Sequence, residues 1–147
     1  MSNINQLVLE SNDPKTFLAP MDISFFKSID DYEGMYYKPN NNNFYYTLIY
    51  NNQKAGVVGI ILENNLNFFQ IAIHPKYRRL GLVKISSDLI VKKHNLKVLR
   101  STIEHDNIPS IKSHEKAGFK MLSKKDIDYL ILLGRLEDGQ IRMIKTY

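Results

Sequence analysis

The order of residue patterns predicts an α+β fold: one domain over residues 1–147, built on a mostly antiparallel twisted sheet of about seven strands with helices on both faces. Three observations predict it. Residues 44–50, 54–62 and 66–73 are β-rich runs joined by asparagine turns, the pattern of a hairpin meander. A helical period over residues 81–94 then leads to another strand at 97–103, and a short helical stretch at 108–116 leads back to strand character from Phe119. Finally, 44% hydrophobic and 24% charged residues are the proportions of an ordinary globular domain, in a chain long enough to bury a core.

Each element has its own warrant. Residues 6–10 (QLVLE) read as a first strand. Asp13 and Pro14 make a helix start, with Asp as N-cap and Pro just inside. Phe17, Leu18, Met21, Phe25 and Phe26 recur loosely after it, and Pro20 divides them into two short helices. Residues 38–43 (KPNNNN) favour a loop, because four consecutive Asn suit turns and cannot fill a core. Residues 44–50 (FYYTLIY) end at Asn51-Asn52, a hairpin signal. The near-continuous apolar run 54–62 fits a strand covered on both faces, and Glu63, Asn64 and Asn65 make the next turn. Residues 66–73 form the third strand of the meander, closed by His74-Pro75.

Leu82, Ile85 and Leu89 share one helical face, with Val83 and Ile90 beside it and Lys84, Lys92 and Lys93 outside it. The helix at 108–116 stops near Gly118, a residue that tolerates the left-handed backbone of a helix end. Residues 127–136 and 140–145 flank Glu137-Asp138-Gly139 and read as a closing hairpin. The edge it offers, residues 136–146, is the candidate contact for a homodimer.

Composition limits the functions open to the chain. There is no Cys, which removes disulfides, thiolate metal sites and a cysteine nucleophile. No apolar run approaches membrane-spanning length and the N-terminus lacks a basic, apolar leader, so a cytoplasmic protein with no membrane partner is expected. The formal charge of +5 is uneven: residues 1–70 carry four Lys against seven acids, and residues 71–147 carry sixteen Lys and Arg against eight acids. A basic half suits a polyanion or a small ligand bearing several phosphates. The Lys residues are scattered rather than interleaved with aromatics, so nucleic acid ranks last as a partner. His74, His94, His105 and His114 lack the spacing of metal ligands, and no metal is expected.

Two segments carry chemistry. In the first, residues 71–83 (IAIHPKYRRLGLV), a strand turns into a helix through a basic, glycine-containing corner. A helix N-terminus offers free N–H groups and partial positive charge, which suits a phosphate. Gly81 lets the backbone approach a ligand, and Arg78 and Arg79 add charge. An ordinary strand–turn–helix corner with surface arginines fits the stretch equally well. In the second, residues 107–119 (NIPSIKSHEKAGF), Asn107 is placed to cap a helix.

Together and in this order the two segments resemble the GNAT superfamily of acetyl-CoA-dependent N-acyltransferases. The family's corner reads Arg/Gln-x-x-Gly-x-Gly/Ala, and Arg78-Arg79-Leu80-Gly81-Leu82-Val83 matches it at Arg78 and Gly81 and departs at Val83. The second segment is similar to the family's Asn-x-x-(Ser/Ala)-x-x-x-Tyr-Glu-Lys-x-Gly-Phe, matched at Asn107, Ser110, Glu115, Lys116, Gly118 and Phe119.

The resemblance implies a GNAT-like domain that takes acetyl-CoA as cosubstrate and acetylates a small-molecule or peptide amine. It implies residues 44–147 as the acetyl-CoA-binding core and residues 1–43 as the acceptor side. Arg78, Arg79, Leu80, Gly81, Leu82 and Val83 would cradle the pyrophosphate. Main chain at Ile71 and Ile73 would bond the pantetheine, one N–H would polarise the acetyl carbonyl, and Asn107 and Ser110 would line the same arm. His114 stands where the family places a Tyr that protonates the leaving thiolate, and is the candidate general acid. The strand before the corner has no carboxylate, which leaves Glu104 and His105 as weak base candidates, a solvated loop being the simpler reading of both. Asp30, Asp31 and Glu33 with Tyr32, Tyr36 and Tyr37 make an acidic, aromatic patch suited to a cationic amine, or equally a surface segment with half-buried tyrosines. The alternative function is a non-catalytic domain that binds coenzyme A or a protein partner.

Overall fold

The computed structural model describes residues 14–30 and 32–147. Its elements run β1 (Phe17–Pro20), α1 (Ile23–Lys27), β2 (Asn43–Tyr50), β3 (Gln53–Glu63), β4 (Leu66–Ile73), α2 (Leu82–His94), β5 (Val98–Glu104), α3 (Ile108–Lys116), β6 (Lys120–Met121), α4 (Lys124–Leu132) and β7 (Gln140–Thr146). The strands form one sheet in the order β1-β2-β3-β4-β5-β7-β6. Every neighbouring pair is antiparallel except β4 and β5. The expected fold class stands.

The two meander turns are what their asparagines dictate. Asn51 and Asn52 have φ of 50° and 64°, and Asn64 and Asn65 have 53° and 64°. Two successive residues at positive φ match the right-handed twist of the flanking strands, and Asn tolerates that conformation. β3 pairs in continuous register with β4 from Gly56↔Ile73 to Glu63↔Leu66.

Side-chain alternation along the strands divides the core. Val58, Ile60, Phe69 and Leu99 pack on one face with Leu82, Ile90 and Val91 of α2 and Ile111 of α3. Val57 and Ala72 turn to the other face and meet Phe26 of α1 with Ile29 and Met35. Helices therefore cover both faces, and β3 is apolar on both sides.

Three expectations are corrected. Residues 17–20 form an edge strand, not a helix: β1 pairs antiparallel with β2 from Phe17↔Ile49 to Pro20↔Tyr46. Pro suits the end of an edge strand, where its missing donor is not needed. Residues 124–132 form helix α4, not the first arm of a closing hairpin. Ser123 caps it, accepting from Asp126 N at 3.1 Å. In consequence β7 lies between β5 and β6 rather than at a free edge, so residues 136–146 lose the role expected of them as a dimer edge. The strand expected at residues 6–10 and the N-cap at Asp13 lie outside the described residues.

Candidate active site

Parallel strands β4 and β5 are in register only at Phe68↔Arg100. Beyond it towards their C-terminal ends they part, and the gap opens between Phe69–Ile73 and residues 101–104. The main chain of β4 faces this gap in a defined way. His74 N–H bonds to Ala55 O on β3 at 2.9 Å. Main-chain direction alternates along an antiparallel ladder, so Ala72 and Gln70 also face β3, while Ile71 and Ile73 direct their groups into the gap. Ile73 O accepts from Arg78 Nε at 3.0 Å. That leaves Ile71 N–H, Ile71 C=O and Ile73 N–H as an open strand edge.

The edge leads to the start of α2. Gly81 is its N-cap with φ of 74° and brings no side chain to the first turn. Ile85 N is bonded back to Gly81 O at 3.4 Å, so the amides of Leu82, Val83 and Lys84 precede the first helical bond. A Cβ built on Gly81 meets nothing within 4 Å. The space over those amides is open, as an anion site requires. Leu82 is buried in the core, and Val83 packs against the same core with its side chain half-buried. Val83 therefore rests part of its side chain on the core, and its N–H is one of the first-turn amides. Leu80 is 48% exposed beside the corner. Arg79 holds a left-handed φ of 67°. Arg78 is committed elsewhere: besides Ile73 O, its Nη2 lies 2.7 Å from Asp30 Oδ1. It ties the corner to the segment after α1.

The opposite wall is β5 and α3. Asn107 caps α3, Oδ1 accepting from Ser110 N at 3.3 Å. His114 is 3% exposed and faces the sheet, with ring centroids 6.1 Å from Phe69 and 4.9 Å from Phe119. Its Nδ1 lies 2.8 Å from Ser110 O. A carbonyl only accepts, so Nδ1 carries the proton and Nε2 of the neutral ring carries the lone pair. Burial pushes the His114 pKa below the ordinary imidazole value, against the opposing pull of the Ser110 carbonyl. Glu104 ends β5, and its Oε2 accepts from Gln140 Nε2 at 3.1 Å. His105 N–H bonds Gly139 O at 2.8 Å, so both weak base candidates belong to the crossing from β5 to the β7 turn.

Of the expected acidic patch, the structure describes the Asp30 side chain but not that of Glu33. Asp30 is paired with Arg78, and Asp31 lies outside the described residues. Tyr32 packs edge-on and Tyr37 tilted against Phe26, with centroids at 5.2 and 5.3 Å. Tyr36 is 49% exposed, its N–H bonded to Gln70 Oε1 at 3.0 Å. A cleft of about 210 Å³ lies here, lined by Ile23, Phe26, Lys27, Tyr32, Met35 and Tyr37. Sequence reasoning missed one charged group on this face. Arg142 is 6% exposed, with its guanidinium carbon 4.8 Å over the Phe68 ring. The signal was an arginine inside an otherwise apolar run, residues 141–144 (IRMI).

A parallel pair that splays, an open strand edge and an uncapped helix start in line define a domain able to seat an extended ligand that ends in phosphate. The profile of the Acetyltransferase (GNAT) family matches residues 9–119, and the chain belongs to that family. No curated protein matches it. Among solved structures it is similar to a chimeric spermidine N-acetyltransferase SpeG, from Vibrio cholerae and hSSAT, at 16% identity and TM-score 0.63, covering 90% of this chain and 95% of that one. A Bacillus subtilis acetyltransferase in complex with CoA follows at 15% identity and TM-score 0.60, covering 90% and 98%. The acetyltransferase PseH of Campylobacter jejuni, in complex with acetyl coenzyme A, is 12% identical at TM-score 0.54, covering 73% and 70%. Against a Bacillus anthracis structure described as a streptothricin acetyltransferase, 24% identical at TM-score 0.55, the match covers 76% of this chain and 66% of that one, just under two thirds of its length. At these identities the likeness is one of fold. Among the described residues no helix is long and apolar enough to cross a membrane.

Proposed function

We propose that this chain is an N-acetyltransferase that moves the acetyl group of acetyl-CoA to a primary amine by direct attack. The observation that carries the reading is the open β4 edge at Ile71 and Ile73 running to the uncapped start of α2 at Gly81. The described residues fit the cosubstrate: first-turn amides and Arg79 for the pyrophosphate, strand-like bonds for the pantetheine, Asn107 and Ser110 on the far wall. Acetyl-CoA supplies a thioester whose carbonyl carbon is electrophilic. A main-chain N–H in the gap, at Ile71 or Ile73, polarises its oxygen.

The amine enters from the face covered by α1, in neutral form. Its nitrogen bonds the carbonyl carbon, the C–S bond breaks, and the nitrogen sheds a proton to solvent or to Glu104 or His105 at the β5 end. The thiolate takes a proton from solvent, or from His114 in its imidazolium form. Burial disfavours that form, so His114 donates only in the minority of molecules that carry it at neutral pH. The absence of any carboxylate in residues 66–73 favours a second reading, a domain that binds coenzyme A without turnover.

One experiment separates them. Calorimetric titration with acetyl-CoA is expected to show saturable binding in the micromolar range, followed by release of free thiol with an amine panel. Binding without thiol release from any amine leaves the binding-domain reading. No binding up to about millimolar, some 4 kcal/mol of affinity or less, overturns both.

A further inference from the structure

The α1 face of the sheet carries two arginines, Arg100 and Arg142, that form no ion pair among the described residues. Arg142 on β7 lies directly opposite Thr102 on β5, and Arg100 is two residues along β5, so the two side chains share a face as diagonal neighbours. Arg142 donates from Nε to Thr102 Oγ1 at 3.2 Å and from Nη2 to Arg135 O at 3.3 Å. Those bonds use two of its five N–H groups. Among the described residues neither Arg100 nor Arg142 has an ion-pair partner. Burial and then the Arg100 charge push the Arg142 pKa down, with Glu63 opposing from beyond contact. Such a guanidinium is costly to keep, and removing it from water without a counterion is repaid only by a partner.

The sealed side-chain atoms without a hydrogen bond among the described residues are Ser86 Oγ and Ser101 Oγ. Nη1 of Arg142 has no bond and is not among them, so it keeps some accessible surface in a residue that is 6% exposed. Its position ties it to the reaction. Arg142 stacks on Phe68, and Phe68 is the residue at which β4 and β5 last pair before the gap opens.

We propose that Arg142 and Arg100 form an anion-recognition site at the floor of the gap, and that the acceptor amine carries a carboxylate or phosphate group. This rests on the acetyltransferase reading for its role in catalysis, though not for anion binding itself. Ile71 lies three residues beyond Phe68, roughly 10 Å along a strand. The anion and the attacking nitrogen are therefore separated by several bonds, as in an ω-amino acid or an amino-alkyl phosphate. Spermidine, a polycation named for one structural neighbour, is the opposite in charge. Lys27 at the cleft beside α1 and the pairing of Asp30 with Arg78 point the same way.

Two arms test the proposal. In the first, acetate and inorganic phosphate are titrated into 15N-labelled protein while the Arg142 Nε–Hε resonance is followed. A saturable shift is expected, weakened about fivefold or more in Arg100→Gln, and the tighter anion tells carboxylate from phosphate. A resonance that neither anion moves up to about 50 mM overturns the site, whatever the enzyme does. In the second arm, kcat/KM is compared for 6-aminohexanoate, 6-aminohexyl phosphate and uncharged 6-aminohexanamide. A charged acceptor is expected to lead the amide by about tenfold, with the ratio collapsing towards one in Arg142→Gln. The ratio within one variant cancels any loss of folded enzyme. Equal rates for charged and uncharged acceptors overturn the acceptor class. Anion binding with no turnover of any amine overturns the acetyltransferase reading and the acceptor role, and leaves an anion site.

Discussion

The two walls of the gap are built on different principles. The β4–α2 wall offers main chain: the groups of Ile71 and Ile73 and the first-turn amides beyond Gly81. The β5–α3 wall offers side chains: Asn107, His114 and Glu104, each already bonded within the protein, to Ser110 N, Ser110 O and Gln140. Main-chain sites tolerate substitution as long as backbone geometry holds, so Val83 in the place of a small residue is expected to leave the first-turn amides usable. Side-chain sites change character with each substitution and with burial, as His114 shows. Binding should therefore depend on the first wall and proton handling on the second.

The largest expected effect comes from breaking the first wall. Gly81→Glu puts a carboxylate over the amides and sets like charge against phosphate. The space is open, so nothing clashes, and the left-handed φ of 74° costs about 1–2 kcal/mol in stability. Acetyl-CoA binding is expected to fall at least about a hundredfold while the variant still unfolds cooperatively, a few degrees lower in Tm. An unchanged calorimetric affinity would remove the phosphate from this corner.

On the second wall the sharper probe is pH. The folded pKa of His114 is lowered, so the unfolded chain binds its proton at a pH where the folded chain does not. Stability from this group is fully present above the ordinary imidazole pKa of about 6.5 and is lost as pH falls below it. His114→Phe keeps an aromatic ring between Phe69 and Phe119 and removes the titration. Its Tm should fall less than the parent's between pH 7 and pH 5. Parallel Tm profiles would mean that His114 titrates normally. If turnover in His114→Phe stays within about twofold of the parent, the thiolate takes its proton from solvent.

What the sequence made legible follows the same division between local and distant causes. The asparagine turns and the Gly81 corner are local, and both were readable because a few adjacent residues dictate the backbone. β1 was read as helix because its partner, residues 46–49, lies about thirty residues downstream and four residues carry too little period to declare a strand. Residues 127–133 (IDYLILL) carry strand-like composition, and the helix they form is set by the Ser123 cap in front of them. The cap was the available signal. The burial of His114, the capture of Arg78 by Asp30 and the stacking of Arg142 on Phe68 all depend on packing across elements, and no adjacent residue announces them.

Val83 offers the smallest and cleanest test of the comparison. Its half-buried side chain packs against the core beside Leu82, and on the proposed reading the phosphate meets its N–H. Val83→Ala keeps that N–H and removes half-buried methyl groups. Stability is expected to fall by about 1 kcal/mol, from apolar surface lost to the core. Acetyl-CoA affinity is expected to change by less than about twofold, because the backbone that meets the phosphate is unaltered. A marked gain in affinity would show that the valine crowds the phosphate after all. The first wall would then be limited by a side chain, and the contrast with the second would narrow to one of degree.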